Sequence, residues 1–178
     1  MGVLRRGITG LTVLAGIGLA VPAAVADDTR IAGPAYYERP SIWRGLYDGV
    51  HLGHADADRD DGFVGGVQLG YNWQANQIVY GLEGDISLLG NHSIDWLASV
   101  RGRAGFLIQP RLLVYATAGL GLVNGGSTDA GFVYGLGVEG KLTNTMSARI
   151  EYLSFDNDSA RGDGVGVIRA GLNIKLAP

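Results

Sequence analysis

The chain has no cysteine, only five prolines among 178 residues, and no long apolar run. Without cysteine there is no disulfide framework, no thiol nucleophile and no cysteine-held metal. Neither sign of charge dominates. The formal net charge is −3, which offers no basic footprint for nucleic acid. The most apolar stretch, residues 8–21, falls short of the roughly 20 residues that a membrane-spanning helix needs. Arg5 and Arg6 precede it and Ala24-Val25-Ala26 follows it. A positive start, a short apolar stretch and a small-x-small site read as a cleaved export signal over residues 1–26. Loss of that segment takes Arg5 and Arg6 with it and moves the formal charge to −5. Residues 27–42 contain Gly33, Pro34 and Pro40 and show no period, so they read as an extended N-terminal segment.

Alternation fills the remainder. Residues 165–176 read VGVIRAGLNIKL, with Ile168, Ala170, Leu172, Ile174 and Leu176 on one face and Arg169, Gly171, Asn173 and Lys175 on the other. A period of two is that of a β-strand with one greasy and one wet side. The pattern recurs at about 45–54, 63–74, 78–87, 95–108, 111–123, 131–142 and 146–155. Short connections at 74–77, 109–111 and 143–145 alternate with longer polar ones at 54–62, 88–94, 124–130 and 156–164. Tyr71, Trp73, Tyr80, Trp96, Phe132 and Tyr152 stand near the ends of greasy rows, as interfacial girdles do. These features predict an all-β fold over residues 43–178: a closed antiparallel eight-stranded transmembrane β-barrel, an up-and-down meander with its short turns toward the periplasm. Closure follows because lipid offers no partner for an open sheet edge. A soluble, ligand-holding barrel would need the large apolar face to point inward, against the charged residues on the other face.

The wet face carries Glu83, Asp85, Glu139 and Glu151 against Arg101, Arg103, Lys141, Arg149, Arg169 and Lys175. An eight-stranded barrel is filled by its own side chains, so these charges predict a paired ionic ladder within the lumen. The thirty glycines gain a reason from it, since inward glycines leave room for the long Arg, Lys and Tyr side chains of neighbouring strands. The six cations exceed the four anions by two, and a cation-lined pore is the competing reading. Asp48 falls on the greasy face of the first strand, either by strict alternation near the periplasmic end or through a bulge. Asp56, Asp58 and Asp60 have the spacing of a calcium loop, but the glycine comes one place late and no distal glutamate follows. An acidic, solvated loop is the preferred reading there. His51, His54 and His92 and the serines Ser87, Ser93 and Ser99 show no spacing that builds a nucleophile and base. No catalytic residue and no cofactor site is expected.

Seven segments carry a family resemblance: 43–47 (WRGLY), 65–74 (GGVQLGYNWQ), 81–85 (GLEGD), 100–105 (VRGRAG), 137–139 (GVE), 150–153 (IEYL) and 167–173 (VIRAGLN). Through them the chain resembles the small outer-membrane β-barrel proteins of alphaproteobacteria, the porin-family or OmpA-like barrels of the brucella and rhizobium type. The resemblance covers residue 43 to the C-terminus. It implies an eight-stranded outer-membrane barrel with roles in envelope integrity and surface contact, and no catalytic residues. The implied partners are outer-membrane lipids and lipopolysaccharide, the barrel-assembly machinery during biogenesis, and a host surface. Members typically end in an aromatic residue, whereas this chain ends Leu176-Ala177-Pro178. A low-conductance solute channel and a lipid-modifying barrel enzyme are the alternative functions.

Overall fold

The computed structural model describes residues 41–56, 62–90, 95–124, 128–156 and 165–177. The export signal and all but the last two residues of the 27–42 segment lie outside these. The described residues form eight strands and no helix: β1 (Gly45–Asp56), β2 (Gly62–Ala75), β3 (Ile78–Leu89), β4 (Trp96–Gln109), β5 (Leu112–Asn124), β6 (Thr128–Lys141), β7 (Met146–Asp156) and β8 (Val165–Ala177). Each pairs antiparallel with the next in sequence, and β1 pairs with β8 to close the barrel. The strands run up to a few residues further into the long connections than the sequence pattern indicated. β1 continues to Asp56 and β6 begins at Thr128, because backbone pairing continues past the point where the outward row stops being apolar.

The turn-side connections are tight. Asn76 takes φ 56° in the two-residue link between β2 and β3, a left-handed conformation that asparagine tolerates better than most residues. Between β6 and β7, the Thr143 hydroxyl accepts hydrogen bonds from the backbone N–H groups of Thr145 and Met146.

The outer wall is apolar. Val100, Leu120, Leu136 and Ile150 are each more than 60 % exposed, which no water-facing barrel surface would show as a continuous band. From Phe63 to Trp73 the outward row of β2 rises about 25 Å, at ~3.3 Å per residue and ~40° tilt, which matches the height of a membrane barrel's apolar band. Aromatic rings mark its turn-side edge, where Trp73 stacks on Tyr80 at a centroid distance of 5.7 Å and meets the tilted Tyr71 ring at 4.7 Å. The ligand-holding soluble barrel is excluded by this wall. Asp48 points outward between Leu69 and Ile174, in strict alternation; the β1–β8 register slips one step earlier, between Leu46 and Tyr47.

Inward glycines stand beside the largest inward side chains. Gly70 pairs with Tyr47, and a Cβ there would meet the Tyr47 hydroxyl at 2.4 Å. Gly137 pairs with Tyr115, and a Cβ there would meet the phenol ring at 2.4 Å. Each tyrosine therefore lies flat across the neighbouring strand, reaching groups that a β-carbon would have screened.

Candidate functional site

The lumen is the site the sequence pointed to, and it has three layers. The middle one is ionic. β3 supplies Glu83 and Asp85, β4 Arg101 and Arg103, β6 Glu139, β7 Arg149 and Glu151, and β8 Arg169. None of the eight is more than 7 % exposed. Register explains part of the pairing: Glu83 meets Arg101 and Glu151 meets Arg169 directly across adjacent strands, whereas Glu139 faces Arg149 but pairs with Arg103.

The contacts run well beyond those neighbours. Arg101 Nη2 lies 2.6 Å from Glu83 Oε1 and 3.0 Å from Asp85 Oδ1, and its Nη1 lies 3.4 Å from Glu151. Arg103 Nη2 lies 2.6 Å from Glu139. Arg149 donates to Glu83 across the lumen. Arg169 reaches Asp85 at 3.0 Å, and its Nε and Nη2 both reach Glu151 Oε2, at 2.8 and 2.7 Å. Four guanidinium groups thus meet four carboxylates with no net charge. Neutral partners add to the layer, while the Nε groups of Arg101, Arg103 and Arg149 have no hydrogen-bond partner among the described residues. The Tyr47 hydroxyl donates to Glu83 at 2.7 Å, the Tyr115 hydroxyl to Glu151 at 3.1 Å, and Asn173 to Glu139 at 2.9 Å, while Ser99 donates to Asp85. Arg103 lies over the Tyr115 ring, 4.1 Å from its centroid. A charge withdrawn from water is tolerated when it is paired and hydrogen-bonded in this way.

Apolar layers close both ends. On the loop side, Ala55, Val64, Leu89, Leu97, Val133, Leu153, Phe155 and Val167 pack together inside the barrel. On the turn side, Trp43, Val79, Leu107, Leu113 and Tyr115 do the same. Trp43 precedes β1 and folds into the mouth, its indole N–H donating to the Pro110 carbonyl at 3.1 Å. Two voids bordering these layers measure about 10 Å³ each, no more than a single water occupies.

Lys141 and Lys175 correct the expectation that placed them in the ionic ladder. Both are half-buried at the turn-side mouth and make no ion pair among the described residues. The Lys141 ammonium instead sits 4.8 Å from the centroid of the Trp43 ring. The two surplus cations of the sequence count are these two, and the sealed layer is balanced without them.

The structure also joins residues that no sequence spacing linked. His51 Nε2 lies 2.8 Å from the Ser87 hydroxyl, and its Nδ1 contacts Gln68 Oε1 at 2.5 Å. The three come from β1, β3 and β2, and only strand register brings them together. The arrangement resembles a nucleophile and base, but the group on Nδ1 is a neutral amide rather than a carboxylate able to support an imidazolium. Arg169 Nη1 lies 3.4 Å from the same imidazole, and the loop-side apolar layer covers Ser87. Of the calcium-loop residues, Asp56 is exposed at the end of β1, and Asp58 and Asp60 lie outside the described residues. Among the described residues, no three His, Cys, Asp or Glu side chains gather as metal ligands would.

Comparison with known proteins places this architecture. A family described as "Outer membrane protein beta-barrel domain" matches residues 11–175. The 22 kDa outer membrane protein of Rhizobium leguminosarum is 34 % identical over 166 residues, covering 75 % of this chain and 78 % of that protein. The 25 kDa outer-membrane immunogenic protein of Brucella abortus is 30 % identical, covering 72 % of each. Among solved structures, Neisserial surface protein A superposes with TM-score 0.51 at 19 % identity, over 74 % of this chain and 96 % of that one. The outer membrane enzyme PagL superposes with TM-score 0.52 at 12 % identity, over 72 % and 99 %. At such identities these two structures speak for the fold alone.

Proposed function

The chain belongs to the outer membrane protein β-barrel family and is an outer-membrane protein, and from that premise we propose that it acts as a closed, non-enzymatic structural barrel that supports the envelope and presents its long loops to the surface. The observation that carries this reading is the sealed lumen: a charge-balanced ionic layer held between two apolar layers. A hydrated solute crossing it would have to break buried ion pairs and shed water twice, and eight-stranded barrels leave no aqueous channel once filled. The Brucella relatives' name, outer-membrane immunogenic protein, supports a surface that a host meets. Lipopolysaccharide and host molecules are the contacts we assign to the loop side.

Planar-bilayer recording of the refolded barrel tests the central point. The expected trace shows no conductance steps above the bare bilayer; stable openings would establish a channel instead. Mass spectrometry of lipid A from a deletion strain tests the absence of catalysis, with an unchanged acylation pattern expected. Greater sensitivity of that strain to detergent is the expected sign of a role in envelope support.

A further inference from the structure

The described charges at the two rims differ in sign, while Asp48 lies apart from both on the outer wall. Asp56, Asp95, Asp129 and Asp156 are exposed at the loop-side rim. Arg44, Arg111, Lys141 and Lys175 stand at the turn-side rim, and among the described residues none of these four lies within ion-pair distance of a carboxylate. The strand register explains neither half of this sorting, because pairing and turn geometry are indifferent to the sign of a rim charge. Lys141 is committed to the Trp43 ring and Lys175 is half-buried beside it. The two accessible cations are Arg44 and Arg111. Arg111 uses one Nη2 on Asn144 Oδ1 of the neighbouring turn, at 3.3 Å, which holds the guanidinium across two turns and leaves its other N–H groups available.

Arg44 is exposed beside the buried Trp43, in the turn closed by its own N–H donating to the Ser41 carbonyl at 3.2 Å, one residue before β1 begins. Leu46 pairs with Tyr71, which places Arg44 at the height of the Tyr71, Trp73 and Tyr80 girdle. An exposed cation at the height of a girdle is at headgroup depth. Of the two acids in the outward row of β1, Asp48 lies further into the apolar band and Asp56 stands at the opposite rim.

We propose that the turn-side rim is an interaction surface for anionic phospholipid headgroups, with Arg44 and Arg111 contacting phosphate. An anionic polymer of the periplasm would also satisfy cations, but the height of Arg44, level with the aromatic girdle, is that of lipid headgroups. The proposal rests on the membrane placement and is independent of whether the lumen conducts.

The test is lipid retention by the refolded barrel in detergent micelles containing equal amounts of phosphatidylglycerol and phosphatidylcholine, read by native mass spectrometry. Phosphatidylglycerol is expected to be retained in preference. R44Q and R111Q should each reduce that preference by about fivefold, the weight of one cation near an anionic surface. R44K and R111K should keep most of it, and D56N on the opposite rim should leave it unchanged. Equal retention of the two lipids, or a preference untouched by both glutamine changes, would overturn the proposal. So would the absence of lipid preference in a barrel that binds purified peptidoglycan and loses that binding in R44Q/R111Q.

Discussion

The middle of the lumen and its two ends solve the same packing problem with opposite chemistry. At the ends, Leu113, Val79 and Phe155 fill the barrel as core residues would in any small protein. In the middle, the same volume is filled by Arg101, Arg149, Glu83 and Glu151. The ends are forgiving, since an apolar side chain needs only volume. The middle is not, because each charge there depends on several others. Glu83 alone lies within 4 Å of four guanidinium groups and accepts the Tyr47 hydroxyl. The difference separates two tasks: the ends keep water out, and the centre ties β3, β4, β6, β7 and β8 together across the lumen.

The largest expected effect therefore lies at the centre. Arg101→Ala strands Glu83, Asp85 and Glu151 partly unpaired and should lower stability by about 3–5 kcal/mol in urea titration of the lipid-folded barrel. Its bilayer conductance should stay at baseline, because both apolar layers remain. A conducting Arg101→Ala barrel would show that the centre, and not the ends, is the seal. Leu113→Ala, at the turn-side layer, should cost about 3 kcal/mol by leaving a cavity and should not disturb the ionic contacts. Gly137→Val drives a side chain into the Tyr115 ring and should cost about 1–3 kcal/mol through overpacking. A neutral result there would mean that Tyr115 can leave its place over the strand. Combining Arg103→Met with Glu139→Gln should cost less than the sum of the single changes, as a double-mutant cycle would reveal for a 2.6 Å pair. The smallest effect belongs to the outer wall. Asp48→Leu should stabilise the barrel by under about 1 kcal/mol, since a carboxylate near the interface is only mildly unfavourable.

Much of this was legible along the chain. A side-chain period of two assigns every strand residue to one of two faces, and one apolar row in lipid cannot be exchanged for the charged row without exposing both. That argument reaches Arg101 and Glu151 as readily as Leu120 and Ile150. It could not reach the pairing of His51 with Ser87 and Gln68, which are far apart in sequence and meet only through the registers of β1 with β2 and β2 with β3. Nor could it separate Lys141 and Lys175 from the four arginines. Face is a property of alternation, but depth along the barrel axis depends on strand tilt and on where Trp43 folds into the mouth.

The apolar end layers were hidden for a related reason. Val79, Leu107, Val133, Leu153 and Phe155 sit on the inward row, where they interrupt the wet face, and in the linear pattern each looks like noise. They become two layers only when strands staggered around a closed barrel bring them to common heights. The class of fold and the polarity of its two faces were contained in the linear order of residues, because backbone pairing in lipid admits few solutions for such a pattern. Closure and stagger settled the rest: which charges meet, that four arginines balance four acids, and that apolar layers shut both ends. Those facts depend on distances between residues on different strands, and no single strand carries them.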